Sequence, residues 1–184
     1  NIYFYEFVWQ NLQMGAAFTG QFNGMVNCTE QKDPAKSNGW EAEITFAATE
    51  SITVGANYTG MDARWTVDPN TCLPPELVAT LSDPIGGYDG QNLVGVPDDA
   101  GSAFVDVDFN WSDSITGFFR ADVTYQGVVP VNQMRVDRNL PNPSFWLGNL
   151  RVGAAFDRYE LALYVKNVTD EEARLNLFNS FQQE

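Results

Sequence analysis

Apolar and polar residues alternate along most of this chain. Trp40, Ala42, Ile44 and Phe46 are interleaved with Glu41, Glu43 and Thr45, and Ile52, Val54, Ala56 and Tyr58 with Thr53, Gly55, Asn57 and Thr59. Val105, Val107, Phe109 and Trp111 take turns with Asp106, Asp108 and Asn110. From Ile115 through Gly117, Phe119, Ala121 and Val123 to Tyr125 the partners are Thr116, Arg120, Asp122, Thr124 and Gln126, with Phe118 the exception. Residues 146–156 and 159–165 continue the rule, and Tyr3, Tyr5, Phe7 and Trp9 form one more apolar set. Period two belongs to a strand with one apolar and one polar face. The pattern predicts about seven antiparallel strands in an all-β fold.

The connections alternate as well. Residues 47–51, 112–114 and 157–158 are tight turns, whereas residues 14–38, 61–101 and 128–144 are long and rich in Pro, Asn, Asp and Gly. All short turns therefore fall at one end of the sheet and all long loops at the other. Soluble sandwiches follow no such rule, but transmembrane β-barrels do, with short periplasmic turns and long extracellular loops. Runs of about ten residues fit a tilted membrane-crossing strand, and Tyr, Trp and Phe near strand ends suit an interfacial girdle. The competing readings are a secreted β-sandwich that binds through its loops, and a small barrel or passive channel closed by this chain alone.

Keeping the apolar faces aligned sets the register of two hairpins. Around Ser112-Asp113-Ser114, Trp111 should face Ile115, Phe109 Gly117 and Val107 Phe119, which puts Asp106 opposite Arg120. Around Asp157-Arg158, Phe156 should face Tyr159 and Val152 Leu163, leaving Asn149 opposite Lys166.

Composition narrows the function. With 10 Lys plus Arg against 24 Asp plus Glu, the formal charge is -14, which repels phosphate backbones and anionic headgroups and argues against nucleic-acid binding. The chain has no His, which removes imidazole acid/base chemistry and most zinc or haem ligation. No nucleophile elbow or phosphate loop is present, so no enzyme and no cofactor is expected. Asp106 and Asp108 share a strand face as a glycosidase pair would, but read more simply as acids lining a polar lumen. Asp83, Asp89, Asp98 and Asp99 offer calcium-type oxygens at a spacing unlike an EF-hand, and no metal site is assigned. Cys28 and Cys72 are too far apart in sequence for a CxxC motif; they read as a disulfide between two loops or as two free thiols.

Three segments carry a family resemblance. Val165-Lys166-Asn167-Val168-Thr169-Asp170 resembles the end of the penultimate barrel strand of TonB-dependent receptors from Gram-negative outer membranes, which reads Val-x-Asn-Leu-Thr/Phe-Asp. Ser37-Asn38-Gly39-Trp40-Glu41-Ala42-Glu43 is similar to that family's Ser-x-Gly-hydrophobe-Glu-x-Glu strand start. Asn142-Pro143-Ser144, leading into Leu147-Gly148-Asn149-Leu150-Arg151-Val152-Gly153, is similar to the strand before the penultimate one. The resemblance implies a 22-stranded barrel to which residues 1–184 contribute one partial barrel domain, about strands 15 to 21, with the plug and the closing strand outside them. It further implies residence in the outer-membrane lipid and energised uptake of a scarce solute such as a ferric siderophore, cobalamin or a glycan. The partners implied are a plug of the same polypeptide, the TonB complex, and a lipoprotein or larger assembly. Glu41, Glu43, Asp106, Asp108, Arg120, Asp122 and Arg151 are then expected to face the lumen. Trp65, Tyr88 and Asp89, in the long loop, are expected to meet solute. Cys28 and Cys72 would both lie in extracellular loops.

Overall fold

The computed structural model describes residues 1–10, 14–18, 24–28, 35–66, 90, 92–93, 95–130 and 141–173, of which 14–18 and 24–28 by backbone alone. Nine strands occur among them: β1 (Ile2–Trp9), β2 (Met14–Phe18), β3 (Gly24–Cys28), β4 (Ala35–Thr49), β5 (Ile52–Trp65), β6 (Asp99–Ser112), β7 (Ile115–Gln126), β8 (Phe145–Phe156) and β9 (Tyr159–Val165). Seven form one antiparallel sheet in the order β1-β4-β5-β6-β7-β8-β9, a meander interrupted only by the separate β2-β3 hairpin. The fold is all-β, and its sheet is open at β1 and β9 among the described residues.

Short turns join β4 to β5, β6 to β7 and β8 to β9, and the long connections lie at the opposite end. In the tightest turn Asp157 takes a φ of 50°, a left-handed conformation that Asp tolerates better than most residues. The strands extend further into the long-loop end than alternation suggests. β4 has 15 residues and β5 14, because their pairing continues from Trp40 and Gly60 up to Ala35 and Trp65. The stretch 14–38, expected to be a loop, instead contains β2, β3 and the start of β4.

Five of the expected pairings match and two differ. Phe109 faces Gly117, Val107 faces Phe119 and Asp106 faces Arg120. Ile115, however, faces Ser112 rather than Trp111, because a bulge between Asn110 and Ser112 adds one residue to β6. Phe156 faces Tyr159 and Val152 faces Leu163, but the ladder stops at Leu150 and Val165. Asn149 therefore does not meet Lys166 in the ladder; its side-chain oxygen accepts the backbone N–H of Asn167 at 3.1 Å.

Asn167 ends β9. Its Oδ1 accepts the N–H of Glu171 at 3.0 Å, its Nδ2 donates to the Glu171 carbonyl at 3.0 Å, and its φ of 51° turns the chain out of the sheet. An Asn side chain can replace a backbone partner in this way and accept the left-handed conformation.

Among the described residues, buried hydrophobic side chains occur only at the long-loop end. The buried hydrophobic residues are Ala35, Ala63, Val129 and Phe145. Much of the rest of the apolar set is exposed: Ile44 is 65% exposed, Leu161 67% and Leu163 72%. Register places Trp40, Ile44, Phe46, Val54, Tyr58, Val105, Val107, Phe119, Tyr125, Trp146, Val152, Leu161 and Leu163 on one face. An apolar face of that extent calls for an apolar surrounding.

That face is banded. Near the long loops Trp40 packs on Tyr58 with ring centroids 5.6 Å apart, and Tyr125 on Trp146 at 4.4 Å. The hydroxyls of Tyr58 and Tyr125 both donate to Asp99. Near the short turns, Phe109 lies beside Trp111 and Phe156 beside Tyr159. Trp146 and Phe156 are both on β8, and ten residues of strand tilted by about 40° rise roughly 25 Å, the height of a barrel's apolar band.

Candidate functional site

The opposite face is polar and holds all seven acidic and basic residues singled out above. Glu41 and Glu43 lie on β4, Asp106 and Asp108 on β6, Arg120 and Asp122 on β7, and Arg151 on β8, and register sets their side chains on the same side. Three of them, Asp106, Arg120 and Asp122, join one network with Asn149, and Arg151 forms a separate pair with Glu160. Arg120 Nη1 donates to Asp106 Oδ2 at 2.7 Å, and its Nε lies 3.7 Å from Asp122. Asn149 Nδ2 donates to Asp122 Oδ2 at 2.7 Å, and Arg151 Nη2 to Glu160 Oε1 at 2.6 Å. Glu41, Glu43 and Asp108 stand outside this network.

Arg120 and Arg151 face each other directly across β7 and β8. Like charges in that position repel, and each guanidinium is compensated twice. Each has its own carboxylate, and each lies over an aromatic ring, Arg120 4.4 Å from the centre of Phe104 and Arg151 4.9 Å from that of Phe118. Alternation alone does not reveal these two phenylalanines as partners, since both break the polar pattern of their face. The signal available is the glycine opposite each: Gly55 faces Phe104 and Gly153 faces Phe118, leaving room for the ring to lie on the neighbouring strand.

The opening strand corrects the sequence reading. Tyr3, Tyr5, Phe7 and Trp9 pair with Glu41, Gly39, Ser37 and Ala35, so this aromatic set lies on the polar face. Ile2, Phe4, Glu6 and Val8 occupy the apolar side. Both alternating sets of β1 are largely apolar, so period two cannot choose between them; the pairing with β4 does.

Trp65 ends β5 on the polar-face parity, directly across from Ala35, and its carbonyl accepts the Gly90 N–H at 2.8 Å. Tyr88, Asp89, Asp83 and Cys72 lie outside the described residues, as does the side chain of Cys28. Asp98 and Asp99 have separate partners: Asn92 Nδ2 donates to Asp98 at 3.1 Å, while Asp99 serves the two tyrosines. No group of three His, Cys, Asp or Glu side chains that could hold a metal occurs among the described residues.

A sheet with one uncovered, aromatic-banded apolar face and one charged, cross-linked face, turning tightly at one end only, defines the wall of a membrane β-barrel. The family described as TonB dependent receptor-like, beta-barrel matches residues 8–168, and the chain belongs to it. Membership makes the chain part of an outer-membrane receptor barrel of the kind that engages TonB and carries a plug domain. No curated protein matches the chain.

Proposed function

We propose that residues 1–184 form about seven consecutive strands of wall, with the extracellular rim above them, in a receptor that takes up a scarce solute through its barrel by TonB-coupled work. The observation that carries this reading is the banded apolar face backed by the ion pairs of Arg120 and Arg151. A water-filled or plug-filled lumen satisfies the charged face, and lipid satisfies the other. Glu41, Glu43, Asp106, Asp108, Arg120, Asp122 and Arg151 then line the lumen, where polar groups of the plug pair with them. Outside, the ion pairs Lys36–Glu6, at 2.9 Å, and Arg64–Asp62 lie above the Trp40 and Tyr58 band, at headgroup level. The long connection between β5 and β6, with Trp65, Tyr88 and Asp89, faces incoming solute, and Cys28 and Cys72 form a disulfide between extracellular loops.

The plug and the energy-coupling segment belong to the same polypeptide in this reading. The test is made on the native protein extracted in detergent from Gram-negative outer membranes. A polypeptide several times longer than this chain, migrating faster unboiled than boiled, with solute uptake abolished by loss of TonB, is the expected result. A polypeptide of about this length, or uptake indifferent to TonB, overturns it in favour of a small or passive barrel.

A further inference from the structure

We infer that the lumen face of β1 is a stacking track for a neutral oligosaccharide, which names the solute class of the receptor proposed above and rests on that reading. Tyr3, Tyr5, Phe7 and Trp9 stand on one side of one strand. Tyr3 is 57% exposed, Phe7 59% and Trp9 39%, and the Tyr5 and Phe7 ring centroids are 5.2 Å apart. Residues two apart on a strand are spaced by about 6.7 Å, so the rings run about 20 Å up the wall toward the rim. A compact chelate occupies one spot; evenly repeated platforms match a ligand built of repeated flat units.

The neighbouring strand shapes the track. Beside Trp9, Phe7 and Tyr5 lie the small residues Ala35, Ser37 and Gly39, the first two buried and the third covered by the Tyr5 ring, and beyond Ala35, level with Trp9, is Trp65. Glu41 lies beside Tyr3, with Glu43 following on the same face of β4. No cationic side chain shares this face on β1, β4 or β5: Lys36 and Arg64 are on the opposite one, in ion pairs. An anionic chelate therefore meets carboxylates without a counter-charge, and a polycation meets charge only at the lower end. A sugar chain places C–H faces on the rings and donates hydroxyl hydrogen bonds to Glu41 and Glu43.

The experiment is calorimetric titration of the full-length receptor in detergent. The probes are maltohexaose, cellohexaose, xylohexaose and mannohexaose, with a ferric tricatecholate and hexa-arginine as charged competitors. At least one hexaose binds, and Phe7→Ala and Trp9→Ala each weaken it by about tenfold. Trp146→Phe, on the lipid side, leaves it unchanged. Unboiled gel migration checks that every variant is folded. Absence of binding by all four hexaoses, binding indifferent to Phe7→Ala and Trp9→Ala, or a charged competitor bound through Phe7 overturns the inference. If TonB-dependent uptake survives while the sugars fail, only the track is lost; if uptake is independent of TonB, the receptor reading itself fails.

Discussion

Replacing Gly55 by Ala is expected to destabilise the wall through one neighbour. A Cβ at position 55 would run into the Phe104 ring, which lies flat over the glycine on the polar face. The ring must swing away, and Arg120, 4.4 Å above its centre, loses it. Overpacking of this kind costs about 1–3 kcal/mol, and loss of a partly exposed cation–π contact about 0.5–1 kcal/mol. Against this, Ala favours an extended strand over Gly by about 0.5–1 kcal/mol. The net expectation is a loss of about 1–3 kcal/mol for Gly55→Ala in the natural background. With Phe104→Ala already in place the obstacle is gone, and Gly55→Ala becomes neutral or stabilising by up to about 1 kcal/mol. Denaturant unfolding of the full-length protein in lipid vesicles, followed by circular dichroism, gives the four corners of this double-mutant cycle. Equal costs of Gly55→Ala in both backgrounds would refute the argument, because the penalty would then belong to the backbone and not to the ring.

Other consequences follow from sidedness and from the strand ends. Leu163→Arg, on the apolar face, should cost about 2–4 kcal/mol in vesicles, while Ala162→Arg, one residue away on the charged face, should cost far less; equal costs would mean that the faces are misassigned. Tyr58→Phe removes one of the two tyrosine hydroxyls that donate to Asp99 and should lower stability in the same unfolding assay, with Tyr3→Phe as a control of little effect. Asp106→Asn leaves Arg120 its contacts with Asp122 and Phe104, and since the Asp106 pair is partly exposed, a change under about 1 kcal/mol that shrinks with added salt is expected. Asn167→Ala removes both side-chain bonds to Glu171, and hydrogen exchange at the Glu171 amide should accelerate while the β8 amides stay protected.

Much of this wall can be read from alternation, and the places where reading fails have physical causes. The pairing of Asp106 with Arg120 follows from the apolar register of a hairpin whose two strands are both well patterned. Alternation cannot place Trp111, because a bulge inserts an extra residue without altering the alternation on either side of it. The face of β1 is not legible from alternation, because Ile2, Phe4 and Val8 are as apolar as the aromatic set beside them, and only Gly39, the small partner opposite Tyr5, holds the information. The hairpin of β2 and β3 went unseen because Met14–Phe18 and Gly24–Cys28 have five residues each, too few for periodicity to rise above loop composition. Of the charged face, the positions were legible; the bridging by Asn149 and the rings beneath the arginines depend on contacts across strands, which a single strand's pattern does not contain.

The rings and glycines bear on how such a sheet is assembled. Tyr5 faces Gly39, Trp40 faces Gly60, Tyr58 faces Gly101, Phe104 faces Gly55, Phe109 faces Gly117 and Phe118 faces Gly153, so every ladder from β1 to β8 holds at least one ring seated on a bare backbone. Sliding one strand by a single residue inverts its faces and is costly at once. Sliding by two keeps apolar residues on the apolar face and charges on the charged one, so polarity alone cannot penalise it. The seats can: after such a slip each of these rings meets a side chain, and most of the glycines no longer face a ring. Spread over both faces, they act as a vernier that recognises the correct alignment at the one error that patterning permits, and they do so strand by strand as the wall is laid down.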